Sequence, residues 1–195
     1  MSKAVDIMLS VLEEQINRQT ENSLWGDSDF KLAELLKNDY SGKAGEVYIA
    51  RLCDQLGIEN LYVEDEINQN DGTYDIVINN KRVEIKTARL GTSGSWQHES
   101  LRDYGSDYFL FLDIAPDGLY LSIFESNFDF SKRHPVFGRT PHLRKETGGT
   151  YKFDFGNASH KKGLESGYTL LINGNTSDFE IKNFINKRAY STTKV

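Results

Sequence analysis

Asp75, Glu84 and Lys86 place two carboxylates and an ammonium in one short stretch, residues 74–86, whose alternation of apolar and polar side chains predicts two consecutive strands. A period of two puts Tyr74, Ile76 and Ile78 on one side of the first strand and Asp75 and Val77 on the other. In the second strand Val83 and Ile85 face a core, and Glu84 and Lys86 face away. Asn79 and Asn80 suit a two-residue turn, because Asn tolerates the positive φ that such turns require. With that loop Ile78 pairs with Lys81 and Asp75 falls opposite Glu84, their Cβ atoms roughly 5 Å apart. A loop at Asn80 and Lys81 would instead set Asp75 opposite Lys86 and Val77 opposite Glu84, with the three groups still on one face. A three-residue loop of Asn79, Asn80 and Lys81 would send Asp75 and Glu84 to opposite faces. Opposed carboxylates destabilise a sheet unless a cation lies between them, and hard oxygen ligands at this spacing suit Mg²⁺. Lys86, on the same face as Glu84, can set its ammonium beside a metal-bound water or a phosphate oxygen.

The elements around this hairpin are legible too. Upstream, residues 41–57 read as an amphipathic helix with an apolar stripe of Val47, Ala50, Leu52, Cys53 and Leu56 and with Gly57 as its stop. Glu46 lies in its first turn, where the helix dipole favours an acidic residue whatever its function. Gly42-Lys43 is not a phosphate loop, since the first glycine of that motif is missing. Downstream, residues 87–99 are polar and Gly-rich, and residues 108–114 form a very apolar strand. Pro116-Asp117-Gly118 then makes a turn into an alternating strand over 119–124. Outside this region we expect amphipathic helices over 4–19, with Val5, Met8, Leu9, Leu12 and Ile16 on one face, and over 29–36. A strand over 168–172 and a closing helix over 178–185 complete the reading.

Asp75 followed by Glu84-Ile85-Lys86 resembles the motif of the PD-(D/E)XK nuclease superfamily, in which an Asp on one strand precedes a Glu-x-Lys on the next by roughly ten residues or more. Tyr74 stands where the family's motif has proline. The resemblance runs from residue 46 to about residue 124 and extends to type II restriction endonucleases. It implies an α/β fold with a central mixed β-sheet flanked by helices. It also implies Mg²⁺ held by Asp75, Glu84 and the Ile85 carbonyl, with Glu46 contributing directly or through water. Lys86 would position or help deprotonate the attacking water, and in-line attack on phosphorus would leave 5′-phosphate and 3′-hydroxyl ends. Trp96-Gln97-His98 resembles a segment that follows the Glu-x-Lys strand in many restriction endonucleases. That makes Gln97 a catalytic candidate and His98 a DNA contact, although a lone Gln or His in a polar loop is commonly just solvated. A junction resolvase or repair nuclease of the same fold is the first alternative, and a non-catalytic DNA-binding module whose Asp75, Glu84 and Lys86 form a surface ion-pair network is the second.

Composition bounds the rest. A chain of 195 residues with 38% hydrophobic content is sufficient for one α/β endonuclease domain over 1–195. The net charge of -6 excludes a general nucleic-acid coat protein, since non-specific phosphate binding scales with clustered Lys and Arg. Charge is unevenly spread, however. Lys132, Arg133, Arg139, Arg144, Lys145, Lys152, Lys161 and Lys162, with His134, His142 and His160, face only Glu146 and Asp154 in the same segment. We read 130–165 as a loop-and-strand excursion that grips double-stranded DNA, with Arg89 a further contact. Cys53, a lone cysteine in an apolar stripe, reads as a buried thiol in a cytoplasmic protein, and no apolar run is long enough to span a bilayer. Cleavage of both strands suggests a homodimer, and the restriction resemblance implies a cognate methyltransferase as partner.

Overall fold

The computed structural model describes residues 24–26, 28–35, 38–62, 73–145 and 148–189. In chain order these form α1 (Leu32–Leu35), α2 (Asn38–Leu56), β1 (Asn60–Leu61), β2 (Ile76–Ile78), β3 (Lys81–Arg89), β4 (Ser95–Trp96), β5 (Tyr108–Ala115), β6 (Gly118–Glu125), β7 (His142–Arg144), β8 (Thr150–Lys152), β9 (Phe155–Gly156), α3 (Asn157–Ser166), β10 (Thr169–Ile172) and α4 (Asp178–Ala189). The helix expected over 4–19 lies outside the described residues. Six strands make the central sheet in the order β1-β2-β3-β5-β6-β10. The β3–β5 pair is parallel and its other neighbours are antiparallel, so the sheet is mixed, as expected.

The hairpin adopts the two-residue loop. Asn79 and Asn80 have φ of 51° and 61°, and Ile78, Val77 and Ile76 pair with Lys81, Arg82 and Val83. Two consecutive positive φ values match the right-handed twist of the flanking strands. The turn is tied down as well: Asn79 donates from Nδ2 to Asn186 Oδ1 of α4 at 3.1 Å.

Alternation along β5 separates the two larger of three buried clusters among the described residues. Tyr108, Leu110 and Leu112 pack with Val83, Ile85, Ile49 and Cys53 of α2, and Ile181 and Ile185 of α4. Phe109 and Phe111 point the other way, into an aromatic cluster with Leu101, Phe124, Phe130, Phe137, Phe153 and Phe155. This second layer corrects the expectation that Glu84 and Lys86 face away from a core. They lie on the sheet face opposite α2, in register with Phe109 and Phe111, and Glu84 is only 8% exposed. The hydrophobic alternation was read correctly, but strand periodicity does not say whether the second face is covered.

Two further readings change. The buried stripe of α2 is Ile49, Ala50, Cys53 and Leu56, with Val47 rotated partly outward. And the basic excursion is not loop and strand alone, because residues 157–166 form α3, with Ser159, His160 and Gly163 buried.

Close approach of α2 to β3 depends on Gly45, where a Cβ would come within 1.7 Å of Thr87 Oγ1 and 2.8 Å of Thr87 Cβ. Thr87 is β-branched and stiff at χ1, so the strand cannot readily yield. Gly45→Ala should therefore destabilise the fold by about 1–3 kcal/mol, in spite of alanine's better helix propensity, and urea denaturation measures this directly.

Candidate active site

Pairing of β2 with β3 stops at Ile76, and Asp75 takes over where the ladder ends. Its N–H donates to the Val83 carbonyl at 3.0 Å, and its Oδ2 accepts the Ile85 N–H at 2.6 Å. The carboxylate thus occupies the position that the next strand residue would have filled. A strand residue directs its N–H and C=O to the same neighbour, so the Ile85 carbonyl faces the same open edge. Across the strand, Lys86 Nζ lies 2.5 Å from Glu84 Oε1, with the two side chains 21% and 11% exposed.

Burial, followed by the charge of Glu84, pushes the Asp75 carboxyl up to about 6, against the opposing pull of Lys86 and the Ile85 N–H. Glu46 is held above the ordinary carboxylate range by burial and then by Asp75, despite Lys43 at 3.6 Å. The Tyr62 hydroxyl donates to Glu46 Oε2 at 3.3 Å, and Lys43 Nζ lies 5.2 Å from the centroid of the same tyrosine ring. The charge of Glu84 raises Asp75 and the charge of Asp75 raises Glu46, which makes a locus of negative potential. Among the described residues, however, no three His, Cys, Asp or Glu side chains converge enough to hold a metal ion. Two carboxylates and a backbone carbonyl fit Mg²⁺, which ordinarily keeps several of its waters.

Asp75, Ile85 and Lys86 open onto a cleft of about 870 Å³ whose walls include Ser41, Gly42 and Glu46 of α2, the 87–95 segment, and Gln97, His98 and Glu99. Arg89, a candidate DNA contact, donates to the carbonyls of Ala33 and Glu34 and so caps the last turn of α1. Gln97 accepts from Lys152 Nζ at 3.0 Å at the rim. Lys132 pairs with Asp129 at 2.9 Å, Arg133 donates to the Gly138 carbonyl, and Lys161 pairs with Glu165 along α3, next to the exposed Lys162. Arg139 donates to the Asp154 carbonyl at 3.3 Å, and Arg144 lies 3.3 Å from Oε1 of Glu99, a residue of the cleft wall; Lys145 is exposed in the β7–β8 turn.

His98 has a different part from a loop contact. It is 1% exposed, stacks on Phe111 with centroids 3.8 Å apart, and bonds through Nε2 to Asp113 Oδ1 at 2.7 Å and through Nδ1 to the Phe153 carbonyl at 2.9 Å. On the other side of the same carboxylate, His160 Nε2 lies 3.1 Å from Asp113 Oδ2, a close polar contact without hydrogen-bond alignment. Burial raises the Asp113 carboxyl, but the two imidazoles more than reverse this. Sequence reasoning passed over this network. Its one signal was the acidic residue inside the apolar run 108–114, since a charge on a fully buried strand must have a partner.

Removing Asp113 strands two buried imidazoles. Asp113→Ala should cost about 3–5 kcal/mol in denaturant unfolding. The raised Asp75 carboxyl gives a pH signature. Its folded value of about 6 lies above the ordinary 3.8, so ionising it costs the folded state stability as pH rises through that window. Asp75→Asn should thus raise the melting temperature in mildly alkaline buffer, and the gain should fade as pH drops from about 6 towards 3.8.

No protein-family model matches the sequence, and no curated protein matches it significantly. Among solved structures, the chain is similar to the bacterial homing endonuclease I-Ssp6803I, with a TM-score of 0.42 and 8% sequence identity over 82% of this chain and 100% of that one.

Proposed function

We propose that this protein is a Mg²⁺-dependent endonuclease of double-stranded DNA, of the type II restriction kind. One observation carries the reading: Asp75, raised by burial and by the charge of Glu84, opens with Lys86 onto the cleft, and the buried Glu84 lies 2.5 Å from the Lys86 ammonium. Like charges held this way cost stability, and a hard cation relieves the cost. Asp75, Glu84 and the Ile85 carbonyl are the ligands in this proposal, with Glu46 acting through water. Mg²⁺, when bound, supplies charge stabilisation at the phosphoryl and leaving oxygens and lowers the pKa of water.

The protein's own groups do the remainder. Glu84 keeps the Lys86 ammonium at the cleft floor, where it orients the attacking water or neutralises a phosphoryl oxygen. Tyr62 and Lys43 fix Glu46. One such site per chain cuts one strand, so double-strand cleavage calls for a homodimer. Protection of the organism's own DNA calls for a cognate methyltransferase.

Incubation of the full chain with long unmethylated duplex DNA, in Mg²⁺ or in EDTA, tests the proposal. Discrete Mg²⁺-dependent bands are expected. Lys86→Ala and Asp75→Ala should lower the cutting rate by ~10³-fold or more while sparing duplex binding. Mg²⁺ should raise the melting temperature of the wild type but not of Asp75→Ala, by mass action. Retained cutting by Asp75→Ala, or a wild-type melting temperature indifferent to Mg²⁺, would sink the assignment.

A further inference from the structure

The β7–β8 ribbon is continuous with the cleft wall. Leu101 and Tyr151 exchange backbone hydrogen bonds at 3.0 and 2.8 Å, and the Phe153 N–H donates to the His98 carbonyl at 2.8 Å, so the segment after Gln97 runs alongside the ribbon's second strand. In the ribbon His142 pairs with Lys152, Leu143 with Tyr151 and Arg144 with Thr150. Directly paired residues point to the same face. One face therefore carries Leu143 and Tyr151, and Tyr151 packs on the Phe130 ring at 4.6 Å. The other carries His142, Arg144, Thr150 and Lys152, each a hydrogen-bond donor.

On that polar face Glu99 stands between the cations. Its Oε1 lies 3.3 Å from Arg144 Nη1 and 3.4 Å from Lys152 Nζ, and its side chain is 54% exposed. Asp154 Oδ2, 3.5 Å from Lys152 Nζ, is a second carboxylate there among the described residues, and Arg139 adds a third cation through its bond to the Asp154 carbonyl. Glu99 and Gln97 also belong to the cleft wall. An exposed anion shared by an Arg and a Lys, at the rim of a cleft, has the position and charge of a backbone phosphate.

The geometry points to the polar face of the β7–β8 ribbon as a duplex-DNA contact in which Glu99 holds the place of a phosphate until DNA displaces it. The inference rests on reading the cleft as a phosphodiester site, and names the element that grips the duplex beside it. The dimensions agree, since a two-stranded ribbon fits the major groove of B-DNA. Arg144 and Lys152 would take backbone oxygens, with His142 and Thr150 nearest the base edges. Glu99 then acts as a brake, because its carboxylate must be displaced and ends beside a polyanion.

The test is duplex binding by the full chain in EDTA over a range of salt, for wild type, Glu99→Gln and Arg144→Ala, with melting temperatures as a check on folding. Glu99→Gln should bind roughly threefold to tenfold more tightly. Arg144→Ala should bind correspondingly more weakly, with a salt slope shallower by about 1. Unchanged or weaker binding by Glu99→Gln, or wild-type affinity and slope in Arg144→Ala, would overturn the ribbon's role while Mg²⁺-dependent cutting left the nuclease reading standing. Tighter binding of duplex RNA than of DNA of the same sequence would overturn the DNA assignment. Absence of both duplex binding and cutting in the wild type would overturn the nuclease reading, and the ribbon's role with it.

Discussion

A strand covered on both faces has little water with which to solvate a charge, and β3 carries Glu84 and Lys86 on its aromatic side. Each needs a partner, and they supply one another at 2.5 Å. Asp75 has only partial relief. The Ile85 N–H holds one of its oxygens, but burial and the neighbouring Glu84 leave its carboxyl at about 6. Among the described residues the β2 ladder on β3 ends at Val83, and it is just beyond that point that Asp75 meets the charge of Glu84 beside the cleft.

The two layers keep that arrangement open from opposite sides. On the α2 side, Gly45 lets the helix backbone meet Thr87, which brings Ser41, Gly42 and Glu46 to the cleft wall. On the aromatic side, Asp113 fixes His98, and His98 sits between the two residues, Gln97 and Glu99, that reach the rim. A buried imidazole with both nitrogens bonded and its face on Phe111 is a firm anchor for an otherwise irregular segment. The wall that meets the β7–β8 ribbon is thus set by a charge network in the interior.

The overall negative charge and the local basic segment also find a common account. Two of the cations between 132 and 162 are balanced nearby, Lys132 by Asp129 and Lys161 by Glu165. Arg144 and Lys152 meet Glu99 of the cleft wall, and Arg139 meets the Asp154 carbonyl. Sequence density of Lys and Arg therefore did not show which of these cations share a surface. Packing of Phe130, Phe137, Phe153 and Phe155 consumes much of the segment in a second core.

Local rules determined the hairpin. Alternation, together with the two asparagines at 79 and 80, set the turn and its register, and the apolar runs gave β5, β6 and β10 and the helices α2 and α4 near their observed limits. These features depend on residues close in sequence, where periodicity and turn chemistry act directly. The candidates Asp75, Glu84 and Lys86 were legible for the same reason. Only tertiary structure decided that Glu84 is buried, that Asp75 leaves the ladder to bond the Ile85 N–H, and that His98 turns inward to Asp113. Each depends on what covers the far face of the sheet, and that cover comes from aromatic residues up to 155, many positions away. Desolvation is a property of the assembled layers, so no local pattern could fix which charges would lose their water.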